Sequence, residues 1–263
     1  MSGQVSLARL REFGIRPDRD LGQNFLIDDN ILGVAGRLIG LTPGDVAIEV
    51  GAGLGVLTAW LADRVALVHA IEVDRRLEAA LRQTIGDRAN VDLRFADALD
   101  VDLAGLDPAP TVMVANLPYS VATPVVMEAL PHVPRFCVMV QREIADRFFA
   151  APGSKSYAAV SVLLQIGCRR IGWRPVSRSV FVPQPNVDSA LVAFERRPDA
   201  VFDEGWPRLV GLVQGAFAHR RKTLANALLL AGLPPPPADV AGLRAEALPP
   251  ERFLRLLEEL GGP

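Results

Sequence analysis

An amide, a proline and an aromatic ring stand together in Asn116-Leu-Pro-Tyr119, directly after the apolar run Thr111–Ala115. Pro118 has no backbone N–H and keeps Leu117 out of the helical region, which predicts a buried strand that ends in a rigid loop. Such a loop carries the Asn116 amide, outward-facing carbonyl groups and the face of the tyrosine. These groups suit a planar ring with an exocyclic amine, because the oxygens would accept its N–H groups while the tyrosine covers the ring. A plain strand-to-turn junction is the alternative.

Glycines form a second candidate site in Glu49-Val-Gly-Ala-Gly-Leu-Gly55, between an apolar run and a helical pattern. Glycines at this place let the backbone approach a ligand closely. Glu72 follows about twenty residues later at the end of the next apolar run, where a carboxylate accepts hydrogen bonds from a ribose diol. A tight turn explains the glycines alone, but the order of strand, glycines, helix, strand and acid favours a nucleoside site.

The choice of nucleoside cofactor depends on two positions. Val56 stands where the dinucleotide fingerprint G-x-G-x-x-G requires its third glycine, which disfavours NAD, as does the lack of a His/Arg pair for hydride transfer. Asp97 ends the third apolar run and would accept from an adenine amine, although it is also a candidate helix N-cap. Glu72 and Asp97 together favour adenosine without a pyrophosphate, and hence S-adenosylmethionine.

Short β-branched runs alternate with helical patterns, which predicts βαβ units and a largely parallel sheet. The predicted strands are Val46–Val50, Leu67–Glu72, Val91–Phe95, Thr111–Ala115 and Phe136–Gln141, with helices such as Leu54–Asp63 and Arg75–Gly86 between them. After these we predict a helix at Gln141–Ala150, a loop at Pro152-Gly-Ser-Lys-Ser156, and strands at Gln165–Arg174 and Val187–Glu195. Two strands in succession suggest a hairpin at the edge of the sheet.

A domain boundary is predicted at Arg196-Arg-Pro-Asp199, so that residues 1–198 form the catalytic domain and residues 199–263 a small all-α domain. The tail has helical apolar spacing at Trp206–Ala218, Lys222–Ala231 and Glu251–Leu260. Half of the 263 residues are hydrophobic, which supports a substantial core. No apolar run approaches the ~20 residues that span a bilayer.

The two cysteines, Cys137 and Cys168, have no CxxC partner, so we expect neither a metal nor a disulfide framework. With no apolar signal stretch at the N-terminus either, a cytoplasmic location is predicted. The net charge of -2 conceals basic residues concentrated within Arg135–Arg178 and His219-Arg-Arg-Lys222. These clusters are candidates for phosphate contacts, with a solvated helix face as the alternative.

The chain resembles the bacterial ribosomal RNA adenine-N6,N6-dimethyltransferase family in motifs that run in family order over nearly its whole length. The matching motifs are Leu21-Gly-Gln-Asn-Phe-Leu26, Glu49-Val-Gly-Ala-Gly53, Ile71-Glu-Val-Asp74, Ala96-Asp97-Ala98, Asn116-Leu-Pro-Tyr119, Ser154-Lys-Ser-Tyr157, Phe181-Val-Pro-Gln-Pro-Asn-Val-Asp-Ser189 and Ala216-Phe-Ala-His-Arg-Arg-Lys-Thr-Leu224. So many matches in order are not coincidental.

This resemblance implies a Rossmann-like class I methyltransferase fold, with a seven-stranded mixed sheet, one antiparallel edge strand and a C-terminal helical domain for rRNA recognition. It implies S-adenosylmethionine as methyl donor and no metal. The donor-binding residues that it implies, together with the glycine loop, are Asn24, Leu26, Gly51, Gly53, Glu72, Asp97 and Asn116. The candidate RNA-binding residues in the basic clusters are Arg142, Arg147, Lys155, Arg220, Arg221 and Lys222.

The predicted chemistry lies in positioning the adenine N6 amine, whose lone pair is delocalised into the ring. The Asn116 side chain and the Leu117 or Pro118 carbonyl would accept its protons and aim the nitrogen at the methyl group. Tyr119 would stack on the extruded base. Phe181 is similar to the family's second stacking residue; a core residue beside a proline turn is the alternative.

By resemblance, the substrate is two adjacent adenines in a hairpin loop near the 3′ end of 16S rRNA in the small ribosomal subunit, modified during ribosome biogenesis. A resistance-type enzyme that methylates 23S rRNA is one alternative, disfavoured by Leu117, where such relatives usually carry Ile, and by the Ala216–Leu224 motif. A non-catalytic assembly factor is another, disfavoured by the intact cofactor motifs. Nothing in the sequence demands more than a monomer.

Overall fold

The computed structural model describes residues 8–18, 21–200 and 202–261. The strands are β1 (Phe25–Leu26), β2 (Val46–Val50), β3 (Leu67–Glu72), β4 (Val91–Phe95), β5 (Val112–Asn116), β6 (Arg135–Gln141), β7 (Cys168–Val176), β8 (Phe181–Val182) and β9 (Ser189–Arg196). The α-helices are Asp29–Ile39, Val56–Ala62, Glu78–Ile85, Ala122–Ala129, Arg142–Phe148, Ala159–Gly167, Trp206–Phe217, Leu224–Leu230, Ala238–Ala241 and Pro250–Glu259. Residues 8–12 are helical too.

Seven strands form one mixed sheet in the order β4-β3-β2-β5-β6-β9-β7, while β1 and β8 form a separate antiparallel pair. The strands from β2 to β6 pair in parallel, and β9 runs antiparallel to β6. The predicted mixed sheet is therefore confirmed. The expectation that the antiparallel strand lies at the edge is wrong, because β9 is inserted between β6 and β7.

The centre of the sheet is the place where the strand order reverses. From β2 the chain moves outward to β3 and β4, and it then returns to pair β5 with the other side of β2. The connections on the two sides therefore diverge between the carboxyl ends of β2 and β5, which leaves a crevice there. All five residues of β2 are buried, and they are apolar except for Glu49.

The chain between β6 and β9 departs from prediction in one element. Gln165–Arg174 was predicted as a strand, but the strand begins only at Cys168, and a helix, Ala159–Gly167, precedes it. Most residues of this helix are buried on all sides. A helix that is apolar all round has no 3.6-residue period, so its sequence cannot be distinguished from that of a buried strand.

Two compact units emerge from the contacts within the chain. One runs up to Arg142 and resumes at Arg170–Glu195; the other combines Glu143–Arg169 with the residues from Arg196 onward. The second unit therefore holds the helix Ala159–Gly167, which sequence analysis assigned to the catalytic domain, beside the C-terminal helices. Its core includes Tyr157, whose hydroxyl donates to the Leu248 carbonyl at 2.9 Å. Among the described residues, no helix is long and apolar enough to cross a membrane.

Candidate active site

A cavity of about 270 Å³ opens at the carboxyl ends of β2 and β5. It lies at the strand-order reversal, where ligands of open α/β sheets bind. Three segments that are distant in sequence line it: Leu21–Leu26, the glycine loop after β2, and Asn116–Tyr119. Of the residues predicted to bind the donor, all line this cavity; they are Asn24, Leu26, Gly51, Gly53, Glu72, Asp97 and Asn116.

The glycine loop has a backbone conformation that L-residues rarely adopt. Gly51, Gly53 and Gly55 have φ angles of 81°, 59° and 78°. At Gly55 a side chain would also lie 2.8 Å from a methyl carbon of Leu81, so this glycine allows the helices Val56–Ala62 and Glu78–Ile85 to pack closely. Gly55, one position before Val56, therefore serves helix–helix packing, whereas the third glycine of the dinucleotide fingerprint serves helix–strand packing.

Glu72, at the end of β3, is only 4% exposed and has both carboxylate oxygens engaged. Oε2 accepts the Gly53 N–H at 2.7 Å, and Oε1 accepts the Asp74 N–H at 2.8 Å. Burial raises the pKa of this carboxyl, although the backbone N–H groups oppose the shift. These bonds fix the carboxylate against the glycine loop. Each carboxylate oxygen can accept two bonds, which leaves capacity for the hydroxyls of a ribose.

Glu49 is a second buried carboxyl group beside the cavity, and sequence analysis gave it no role beyond its motif. It is 1% exposed, and Oε2 has no hydrogen-bond partner within the described part of the chain. Burial, reinforced by the neighbouring Glu72, raises the pKa of Glu49 well above its ordinary value of 4.5. The sequence feature that could have identified Glu49 is an acid inside the otherwise apolar strand Val46–Val50.

Asp97 follows β4 and is exposed at the cavity wall. Its Oδ1 accepts the Leu99 N–H at 3.0 Å, which stabilises a turn rather than a helix, so the N-cap alternative is wrong. Within residues 8–18, 21–200 and 202–261, Oδ2 of Asp97 has no recorded partner. One oxygen therefore shapes the loop while the other remains available to a ligand.

The Asn116 side chain has a defined orientation. Its Nδ2 donates to the Asn24 carbonyl at 3.1 Å, which ties the loop after β5 to the Leu21–Leu26 segment and leaves Oδ1 as the acceptor on the other side of the amide. Next to it, the Leu117 N–H donates to the Met139 carbonyl, and the Pro118 carbonyl accepts the Val121 N–H at 3.2 Å. Because Pro118 already accepts this bond, the Leu117 carbonyl is the stronger candidate for a second acceptor.

Tyr119 lines the cavity and is partly buried. Its hydroxyl and the Ser189 Oγ lie 2.9 Å apart, and Ser189 is fully buried at the start of β9. Burial raises the pKa of Tyr119, so the phenol stays neutral. The bond anchors the tip of the ring, a role for Ser189 that its place in the Phe181–Ser189 motif did not reveal.

Phe181 is not brought to the cavity. Its ring is 2% exposed and packs in the hydrophobic core, and β8 pairs Phe181 with Leu26 of β1. In this position the ring cannot contact a base in the cavity. Phe181 is a core residue here, which is the alternative that the sequence left open. A stacking role would require β8 to move away from β1.

The predicted RNA-binding residues differ in their surroundings. In the first unit, Arg142 is exposed at the end of β6. In the second unit, Arg147 pairs with Glu143 at 2.7 Å. Arg220 is largely structural, because one nitrogen contacts the Lys155 and Tyr157 carbonyls and a Glu246 carboxylate oxygen, at 3.1, 3.4 and 3.1 Å. The side chains of Lys155, Arg221 and Lys222 are exposed, and the structure records no acidic partner for them among the described residues.

Comparison with known proteins adds to this geometry. A family model described as "Ribosomal RNA adenine dimethylase" matches residues 16–234. A ribosomal RNA small subunit methyltransferase A from Rubrobacter xylanophilus is 43% identical over 259 residues, covering 93% of this chain and 95% of that protein. The protein of the same name from Thermobifida fusca is 44% identical over 227 residues, covering 82% and 78%.

Solved structures resemble the fold as well. A dimethyladenosine transferase from Plasmodium falciparum superimposes with a TM-score of 0.73 at 23% identity, covering 89% of this chain and 96% of that one. The 23S rRNA methyltransferase ErmE superimposes with a TM-score of 0.66 at 26% identity, covering 90% and 99%.

Proposed function

Because this chain belongs to the ribosomal RNA adenine dimethylase family, we propose that it transfers methyl groups from S-adenosylmethionine to adenine N6 in small-subunit rRNA. Its target is two adjacent adenines in a hairpin loop near the 3′ end of 16S rRNA. One observation carries the proposal: the cavity at the strand-order reversal brings Glu72, Asp97 and Asn116 together. A nucleoside donor and an adenine amine need these groups side by side.

The residues present fit the donor. Gly51 and Gly53 expose backbone without a Cβ, Glu72 offers its remaining lone pairs to the ribose, and Asp97 offers Oδ2 to the adenine amine. When bound, the donor supplies a methyl group on a sulfonium, which is already activated for transfer. Asn24 and Leu26 complete the wall around it.

The chain's own contribution to the reaction is to hold the target nitrogen. The amide Oδ1 of Asn116 and the carbonyl of Leu117 accept hydrogen bonds from the N6 amine, which keeps electron density on the nitrogen and aims it at the methyl group. When N6 gains the methyl group it releases one proton to solvent. The bond from Nδ2 to Asn24 supports this role because it prevents the amide from turning its donor toward the amine. For a second methylation the same loop must hold N6 while leaving room for one methyl group.

Tyr119 covers the face of the extruded base. Stacking on an aromatic ring contributes roughly 1–3 kcal/mol per base, which offsets the cost of extrusion.

We keep Phe181 as a second stacking residue only for a state in which β8 has moved. Phe181→Leu, which keeps an apolar side chain in the core but removes the ring, should then lower methyl transfer in correctly folded protein. Unchanged methyl transfer in Phe181→Leu would leave Phe181 as a core residue.

A resistance-type activity on 23S rRNA is the competing function, since ErmE has the same fold. Relatives at 43% and 44% identity that cover most of the chain are small-subunit enzymes by name, and they favour the small subunit.

The deciding experiment incubates the protein with donor labelled in its methyl group and with unmethylated small or large subunits, and then maps the modified adenines. Label on two adjacent adenines of 16S rRNA is expected. Label on 23S rRNA would establish the competing function, and no label on either would favour a non-catalytic assembly factor.

A further inference from the structure

A tryptophan and an arginine stand together at the edge of the sheet. Trp173, on the edge strand β7, is partly exposed, while its Nε1 has no accessible surface and no hydrogen-bond partner within the described residues. The indole can therefore offer a ligand only its carbon ring. The guanidinium carbon of Arg142 lies 5.8 Å from the centroid of this ring, within the range of a cation–π contact.

This pair lies beside the predicted base site. Arg142 follows β6, and its backbone N–H donates to the Asp188 carbonyl at 3.0 Å. The next residue, Ser189, holds the Tyr119 hydroxyl at 2.9 Å. Because consecutive Cα atoms are ~3.8 Å apart, these links place the backbone of Arg142 within roughly 10 Å of the tyrosine tip. All of these residues belong to the same compact unit.

We propose that Trp173 and Arg142 bind the nucleotide that flanks the target adenine in the RNA. The base stacks on the exposed indole carbons, and the guanidinium of Arg142 contacts a phosphate oxygen of the same nucleotide. Single-stranded RNA loops are recognised in this way, by aromatic rings and arginine side chains. The inference rests on the proposed function, since it names the subsite next to the one that Tyr119 forms.

The chain contains a matched control pair. Arg64 lies over the ring of Trp60 at 4.2 Å, which is the same chemistry at closer range. Trp60, however, lies in the helix Val56–Ala62, and Arg64 follows the end of that helix. There the Ala66 N–H donates to the carbonyl of Asp45, the residue that precedes β2. The pair therefore lies at the amino ends of the strands, opposite the cavity.

Steady-state methylation of unmethylated small subunits tests the proposal. Trp173→Ala should raise the KM for subunits roughly 5- to 150-fold with little change in kcat, because stacking away from the reacting atoms acts equally on ground and transition states. Trp173→Phe should raise it less. Arg142→Ala should raise KM and also make the salt dependence shallower by about one unit of log–log slope. Trp60→Ala and Arg64→Ala should leave KM unchanged.

A second measurement follows Trp173 directly. In the variant with Trp60→Phe and Trp206→Phe, Trp173 is the remaining tryptophan of the three, and its fluorescence should be quenched by a synthetic RNA hairpin with two adjacent adenines in its loop. An unchanged KM in folded Trp173→Ala protein, or unchanged fluorescence when the hairpin is bound, overturns the proposal. Calorimetry should give wild-type donor affinity for every variant. If the wild-type protein labels neither subunit, the proposed function fails instead.

Discussion

At the scale of single residues, the cavity contains two buried carboxyl groups with different surroundings. Glu72 accepts N–H groups from Gly53 and Asp74, whereas Oε2 of Glu49 has no partner within the described residues. Backbone N–H groups oppose the burial that raises the pKa of Glu72, whereas burial and the neighbouring Glu72 raise the pKa of Glu49 well above its ordinary value. The spacing of Glu72 after the glycines predicts a ligand-binding acid, but spacing carries no information about which acid accepts hydrogen bonds from backbone N–H groups.

Glu72→Ala should weaken donor binding, because it removes the acceptor for the ribose hydroxyls and leaves the Gly53 N–H without its partner. Charge-assisted bonds contribute about 1.5–3 kcal/mol each, so the dissociation constant should rise at least tenfold. Isothermal calorimetry with S-adenosylmethionine measures it. Glu78→Ala, which removes an exposed acid from a helical ion pair, is the control. Unchanged affinity in Glu72→Ala would remove this residue from the donor site.

Glu49→Gln should raise the free energy of unfolding above that of the wild type by a larger amount at pH 8 than at pH 5. Burial raises the pKa of Glu49 in the folded state. As the pH rises above the ordinary value of 4.5, the unfolded chain releases this proton while the folded protein retains it, so the wild-type free energy of unfolding falls. Glutamine cannot ionise and escapes this loss. Urea unfolding of the wild type and the variant at both pH values measures the difference.

Ser189→Ala should lower kcat roughly two- to tenfold without changing donor affinity, since one hydrogen bond contributes about 0.5–1.5 kcal/mol and here it orients Tyr119. Tyr119→Phe removes the same bond from the other side while keeping the ring. A double-mutant cycle is therefore decisive: the double variant should be no slower than the slower single variant. Additive losses would mean that Ser189 does not act through Tyr119.

At the scale of elements, close packing of two helices depends on one glycine. Gly55 has φ 78°, and a side chain there would lie 2.8 Å from Leu81 and 3.1 Å from Thr84 of the helix Glu78–Ile85. Gly55 lies in the glycine loop between β2 and the helix Val56–Ala62, as its position in the motif predicts. The sequence could not show that Gly55 also lets two helices pack closely, because the second helix contacts this glycine only in the folded protein.

Gly55→Ala should therefore lower the free energy of unfolding by about 1–3 kcal/mol more than Gly40→Ala does. Gly40 has a similar φ of 62° but nothing within 4 Å of the added Cβ, so it isolates backbone strain from steric overlap. Urea denaturation of both variants gives the comparison. Equal destabilisation would show that the helices can separate at no cost.

At the scale of the whole molecule, the net charge of -2 disguises local basic surfaces. In the second unit, Arg220 fixes the loop at Lys155 and Tyr157, while Arg221 and Lys222 stay exposed beside it in sequence. The cluster His219-Arg-Arg-Lys222 is therefore mixed in role. A count of charges treats these residues alike, because it does not show which guanidinium group donates hydrogen bonds to backbone carbonyls.

Arg221→Ala and Lys222→Ala should each weaken binding to small subunits and reduce the slope of log affinity against log salt by about 1, as expected for a lost phosphate contact. Arg82→Ala removes the same charge at an exposed ion pair with Glu78 and should leave the slope unchanged. Arg220→Ala should lower the thermal stability of the protein as well, because it frees the loop that it holds. Filter binding across a salt series measures the slopes, and a slope unaffected by Arg221→Ala would exclude a phosphate contact there.

The amino-acid pattern alone predicts the chain order of the parallel strands, the glycine loop, the acids at the ends of β3 and β4, and the Asn116–Tyr119 loop. These are local features, fixed by hydrophobic period, proline and glycine stereochemistry, and spacing. Only the folded chain reveals the remaining features: the burial of Phe181, the Ser189 anchor, the burial of Glu49 beside Glu72, the Arg142–Trp173 pair, and the place of β9 inside the sheet. Each of these features depends on contacts between residues far apart in the chain. A local sequence pattern does not show which distant residues come into contact when the chain folds.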